Sequence, residues 1–331
     1  MKIQSSVPSA PADLRSSSAL ALAGALLLSA LPALSLSATA AEAEAQPEAA
    51  GEKPKGEKPP PLPLHNIEGN GGIFSTLSAY IVNPPRDGEV LGRPSVGFSY
   101  VHIGYGRSLE AITATESPWK RLELGYGYNH FDLGDLQAAV APTDIVDSTS
   151  LHNFNARLQL LKEGEFDTKW VPAVTAGVHY KYNDGISQLN DQLGGALKGI
   201  GIEGNDGIDV TLYASKLFTF LPRPVLLNLG GRATRGAWNG YAGFTENYSF
   251  QFEGNLVVFV TDRLALAAEY RQQPTDYTAI PLVKESGDWW TIDAAYVVSS
   301  HFTVAVGYGH FGGVVNHDAN GVWGVTTKWE F

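Results

Sequence analysis

The chain has 331 residues, no cysteine and a formal net charge of −11. The missing cysteines exclude disulfides and thiolate metal sites. The acidic balance excludes nucleic acid as a partner, because phosphates call for a basic surface. Gly 36, Tyr 14 and Trp 7 suit strands with interfacial aromatics better than helices.

Residues 1–40 read as an export signal. Lys2 and Arg15 form a basic start, Ala19 to Leu36 is an apolar run, and Ala38-Thr39-Ala40 is a small-x-small cleavage site. A membrane anchor is the competing reading, but Gly24, Ser29 and Pro32 interrupt the run. Residues 41–64 form an Ala/Glu/Pro/Lys-rich leader ending in "EKPPPLPL", too polar to bury a core and expected to be disordered. The folded part is then 65–331, with no later apolar run of about twenty residues to serve as a spanning helix. Within 65–94, "NIEGNGGIFSTLSAYIVNPP" is either a plug inside a lumen or a first strand.

From residue 95 onward the sequence alternates at period two, in segments of about ten to fourteen residues, the transmembrane-barrel pattern. In "LHNFNARLQLL", Phe154, Ala156, Leu158 and Leu160 oppose Asn153, Asn155, Arg157 and Gln159. In "YSFQFEGNLVVFV", Tyr248, Phe250, Phe252 and Leu256 oppose Ser249, Gln251, Glu253 and Asn255. Strands are expected near 95–104, 107–116, 119–131, 151–162, 169–183, 207–220, 223–236, 247–260, 263–273, 288–299, 301–311 and 320–331. The fold class is all-β, a closed antiparallel transmembrane β-barrel of about 12 strands, or 14 if residues 65–94 contribute. Trp119, Trp170, Tyr180, Tyr182, Trp289, Trp290, Tyr308, Trp323 and Trp329 fall at segment ends, where two interfacial girdles belong. "TDR", "VSSH" and "FLPRP" are short turns, assigned to the periplasmic side. "GAWNGYAGFTEN", "GGVVNHDAN" and the segments around 132–150, 184–206 and 274–287 are long loops, assigned outside.

The opposite parity collects a polar, mixed-sign set: Arg121, Glu123, Arg157, His179, Lys181, Arg232, Glu253, Arg263, Glu269, Arg271, Asp293 and Lys328. These are the expected lumen-lining residues. They either set the selectivity of a narrow aqueous pore or hold a closed lumen together as ion pairs. Size does not decide, since eight strands are filled by their own side chains and sixteen leave a channel. Gln159 and Ala267, facing inward, are expected to accept a charge better than Leu158 and Leu266, facing lipid. Glycines facing the lumen in "GYG" leave room for a neighbour, such as the N-terminal segment.

Catalysis has little support. There is no G-x-S-x-G elbow, neither Ser215 nor Ser249 is paired by pattern with His179, and Asp293 with Glu269 or Glu253 reads as packing. His102, His130, His310 and His317 are single rim histidines rather than a metal set. No enzyme, cofactor or metal is expected.

The last strand places Trp323, Val325, Trp329 and Phe331 on one face. That ending resembles the C-terminal signal of Gram-negative outer-membrane barrels, carried by Trp329 and Phe331, which implies the barrel-assembly machinery and outer-membrane lipid as partners. "NIEGNGGIFSTLSAYI", "KRLELGYGYNHFD", "WVPAVTAGVHYKYND", "IDVTLYASKLF", "LLNLGGRATR" and "LALAAEYRQQP" resemble an uncharacterised family of exported bacterial proteins, known only as a domain of unknown function. The resemblance implies one barrel-like unit and no activity. The functional expectation is an outer-membrane channel passing small polar or charged solutes. The alternatives are a closed structural or adhesion barrel acting through its loops and, third, an outer-membrane enzyme.

Overall fold

The computed structural model describes residues 64–331. The expected signal peptide and nearly all of the 41–64 leader lie outside the described residues.

Twelve antiparallel strands form the wall: β3 (Ser95–Gly104), β4 (Arg107–Trp119), β5 (Leu122–Asp132), β6 (Ser148–Leu161), β7 (Ala173–Asn183), β9 (Asp206–Phe218), β10 (Val225–Gly236), β11 (Phe244–Phe259), β12 (Leu264–Arg271), β13 (Trp289–Val297), β14 (Phe302–Val314) and β15 (His317–Glu330). Each pairs with its neighbour along the chain, and β15 pairs back onto β3, with Trp329 opposite Val96. Closure leaves no unpaired sheet edge, as a bilayer demands. A short strand, β8 (Ile202–Gly204), adds to the end of β11 outside the ring. Two two-residue strands, β1 (Leu64–His65) and β2 (Gly71–Gly72), pair only with each other.

The period-two pattern sorts side chains as the sequence predicts. Phe98, Ile112, Leu124, Phe154, Leu158, Val178, Leu212, Phe250 and Val306 are exposed on the outer face, although large and apolar. So continuous an apolar belt is a lipid-facing surface rather than a wet one. Trp119, Trp170 and Trp329 are exposed near strand ends, and Trp323 is exposed at the middle of β15 because that strand starts earlier than expected, at His317. Trp289 departs from the girdle pattern: it is buried, stacked on Phe311 with ring centroids 4.5 Å apart.

Residues 94 and 331 meet at one end, where the Phe331 amide donates to the Pro94 carbonyl at 3.1 Å. Connections 120–121, 162–172, 219–224, 260–263 and 298–301 share that near end. The far end carries 105–106, 133–147, 184–205, 237–243, 272–288 and 315–316. "GGVVNHDAN" is not a long loop: β14 and β15 continue through it to a two-residue turn. Residues 237–243 fold inward and are buried. Of the other three long far-end connections, 133–147 carries the short helix α1 (Leu136–Ala139), 184–205 carries α2 (Ile186–Gln192) and α3 (Ala196–Gly199), and 272–288 carries none; leucines and isoleucines from all three join one apolar cluster roofing that end.

Candidate functional site

The interior is occupied. Every residue from 64 to 83 is buried, and the segment is neither a strand of the wall nor a helix. It rises from the near end, where His65 bonds Ser95 Oγ at 2.7 Å, reaches mid-barrel at Glu68, and returns to the near end at Tyr80 beside Glu163. Residues 65–94 thus supply a plug rather than a strand, and the ring has 12 members, not 14. "NIEGNGG" makes a compact turn: Asn66 Oδ1 accepts the amides of Glu68 and Asn70 at 3.2 and 3.0 Å, as Asn side chains do in tight turns. Gly69 lies against "GYG" of β5, and a Cβ there would sit 2.4 Å from the Tyr126 carbonyl. Its φ of +83° also falls where glycine is favoured. Gly324 makes room for the Phe74 ring in the same way.

An irregular backbone inside a barrel must find partners for its amides and carbonyls. The wall provides them. Glu269 of β12 accepts three successive amides, Phe74 at 3.1, Ser75 at 3.0 and Thr76 at 2.7 Å, as a backbone nest holds an anion. Glu123 of β5 accepts the amides of Gly71 and Val82 at 3.1 and 2.8 Å. Ser215 Oγ accepts the Ala79 amide at 2.7 Å. Arg157 donates to the carbonyls of Gly71 and Ser78 and pairs with Glu123 at 2.8 Å. Asn129, Asn155 and Asn255 donate to the carbonyls of Ile67, Glu68 and Leu77.

The centre is a buried ion cluster built by five neighbouring strands. Glu68 of the plug meets Lys181 at 2.9 Å and Arg232 at 2.7 Å, with Arg271 at 3.8 Å. Asp209 bridges Lys181 and Arg232, each at 2.8 Å, and Glu253 bridges Arg232 and Arg271 at 3.0 and 3.2 Å. Asn239, from the infolded far-end connection, accepts from Lys181 Nζ at 2.7 Å and donates to Glu68. Glu68 brings the cluster to three cations and three anions. Burying that many charges is tolerable only because every one is paired. Nearer the Pro94 end the contact turns apolar: Ile73, Leu77, Ala79 and Tyr80 pack with Tyr213, Leu226, Val257 and Ala267.

Glu123, Arg157, His179, Lys181, Arg232, Glu253, Glu269, Arg271 and Asp293 are all buried on the inner wall. His179 bonds Asn155 and Thr211 at 2.6 and 2.9 Å, and Asp293 shares the Thr291 hydroxyl with Glu269. Arg121 and Arg263 differ from expectation. Both lie beyond a strand end, where parity no longer sets direction. Arg121 pairs with Glu165 at 2.6 Å in a near-end turn, and Arg263 is exposed. Trp329 faces outward on β15, and Phe331 is exposed just past it. Sequence reasoning missed Glu68, Asp209 and Asn239. Glu68 had a signal, being the only acidic or basic residue between His65 and Pro85. Among the described residues no group of three or more His, Cys, Asp or Glu is placed to hold a metal ion.

Residues 65–326 match the family described as "Protein of unknown function (DUF3034)". No curated protein matches. Among solved structures, the chain is similar to the KdgM porin (TM-score 0.46, 9% identity, covering 72% of this chain and 99% of that one). It is similar to the NanC porin (0.42, 10%, 72% and 98%) and to the COG4313 outer membrane channel from Pseudomonas putida F1 (0.40, 12%, 73% and 96%).

Proposed function

We propose that this chain, which belongs to the DUF3034 family of unknown function, is an outer-membrane channel stoppered by its own residues 64–83, passing small polar or charged solutes when the stopper shifts. The near end is then periplasmic and the roofed end external. One observation carries the reading: the wall behind the plug is polar and charged, and its groups are spent on the plug's backbone and on Glu68. A lumen meant to stay shut is more cheaply filled with apolar side chains, since well-packed apolar replacements of buried ion pairs are often neutral or stabilising. With the plug withdrawn, the same groups line a hydrophilic passage. No catalytic role is assigned to Ser215, which is engaged by Ala79 and Asn228.

The test uses the full chain in planar bilayers. Glu68→Arg sets a cation among Lys181, Arg232 and Arg271 and should raise the frequency of discrete conductance steps at least tenfold. The chain has no cysteine, so Ser78→Cys with Ser215→Cys, whose hydroxyls lie 3.3 Å apart, should lock the plug when oxidised. In the Glu68→Arg background the locked form should be silent and the reduced form should conduct. The second reading, a closed barrel working through its loops, is favoured by the apolar roof. It wins if folded Glu68→Arg barrels stay silent while Ser75→Cys, added as a reporter, becomes reactive to maleimide.

A further inference from the structure

We propose that the far-end roof contains a binding site for the methyl end of an aliphatic chain. Leu189 of α2, Leu197 of α3 and Leu193 between them lie over Leu136 of α1, Trp238 of the infolded connection and Ile280 of the 272–288 connection. Between them is a cavity of about 70 Å³, and all eighteen residues that line it are aliphatic or aromatic. Water has no place there, because a buried water needs two to four polar partners. A void in such a cluster forfeits contacts that a packed core would make. Closing the mouth needs no void, so an occupant is the use that fits it.

Size and chemistry specify the occupant. An apolar cavity of about 150 Å³ takes benzene, so one of about 70 Å³ takes roughly three carbons, the tip of a chain rather than a ring. The cavity is not sealed, so the rest of the chain and a polar head can remain outside it. A free amphiphile and a bilayer lipid both present such a tip. The wall of the site also touches the plug's supports. Asn239, between the lining residues Trp238 and Tyr241, contacts Glu68 and Lys181, and Tyr241 donates to Asn129 at 2.6 Å. The binding proposal stands whether or not the channel reading holds.

The full chain, folded in lipid nanodiscs, is exposed to two probes with a photoreactive diazirine at the terminal carbon: a free dodecanoic acid and a phosphatidylcholine carrying the same acyl chain. Labelled peptides are mapped by mass spectrometry. Label is expected within 186–200 and 280–283, reduced at least tenfold by Ala196→Leu or Ala242→Leu, which fill the cavity, and unchanged by Phe250→Leu on the belt. Which probe labels the roof identifies a free amphiphile or a membrane lipid as the source. Belt labelling with a bare roof from both probes overturns the proposal, as does roof labelling that both filling variants leave unchanged in folded protein.

Discussion

Glu68 is held by three cations of the wall, Lys181, Arg232 and Arg271, and its removal unbalances them. Glu68→Gln leaves Lys181, Arg232 and Arg271 facing only Asp209 and Glu253. Breaking a buried pair by removing one partner costs about 3–5 kcal/mol, and here the cost falls on docking of the plug. Maleimide labelling of a Ser75→Cys reporter should therefore accelerate by two or more orders of magnitude, and an unchanged rate would mean that Glu68 is not the latch. Gly125→Val tests shape without charge. A Cβ there meets the Gly69 carbonyl at 2.1 Å, so the plug should be displaced and the reporter should label while the refolded barrel keeps its far-ultraviolet spectrum. At this scale the wall residues could be read from parity alone, because a strand tells each side chain which way to face. Their partners could not, because "NIEGNGG" has no period that says where it docks. Arg121 and Arg263 went astray for a related reason, as parity carries no information once the strand ends.

Strands were the most legible elements, since one face meets lipid and the other a polar interior, and a one-residue slip would invert both. Leu158→Arg places a charge on the belt and should cost about 2–4 kcal/mol if near the midplane, measured as a lowered urea midpoint for refolding into lipid. Gln159→Arg, one residue along, should leave that midpoint within about 1 kcal/mol and instead speed labelling of the plug reporter, because Gln159 donates to the Ala79 carbonyl. Reversed outcomes would exchange the two faces. Ala267 corrects the expectation of a tolerant wet lumen: it packs with the cluster around Ile73 and Leu77, so an arginine there must displace the plug. Connections were less legible. Glycine and asparagine in "GGVVNHDAN" suggested a loop, yet the ladder runs on to Val314 and resumes at His317. The inward fold of 237–243 depends on Lys181, Asn183 and Glu68, residues distant in sequence.

Across the whole molecule, closure into twelve strands followed from counting segments, whereas the occupied lumen followed from nothing periodic. The bore that ring encloses is too wide for its own side chains and is completed by a separate piece of chain. Charge balance then gives a prediction for the unstoppered state. With Glu68 gone, the ion cluster on the wall holds three cations against two anions, so if this cluster is the selective constriction, Glu68→Arg channels should prefer anions in a salt gradient. Adding Arg232→Gln, which equalises the two signs, should bring the reversal potential to within a few millivolts of zero. A cation preference in the first variant would contradict this account of the lumen. One property of the plug reaches beyond conduction. Because it goes in and comes out at the same end, it is topologically a bight, not a thread. On the proposed channel reading, residues 64–83 would leave the ring and return by sliding alone, with the ladder of the wall unbroken throughout.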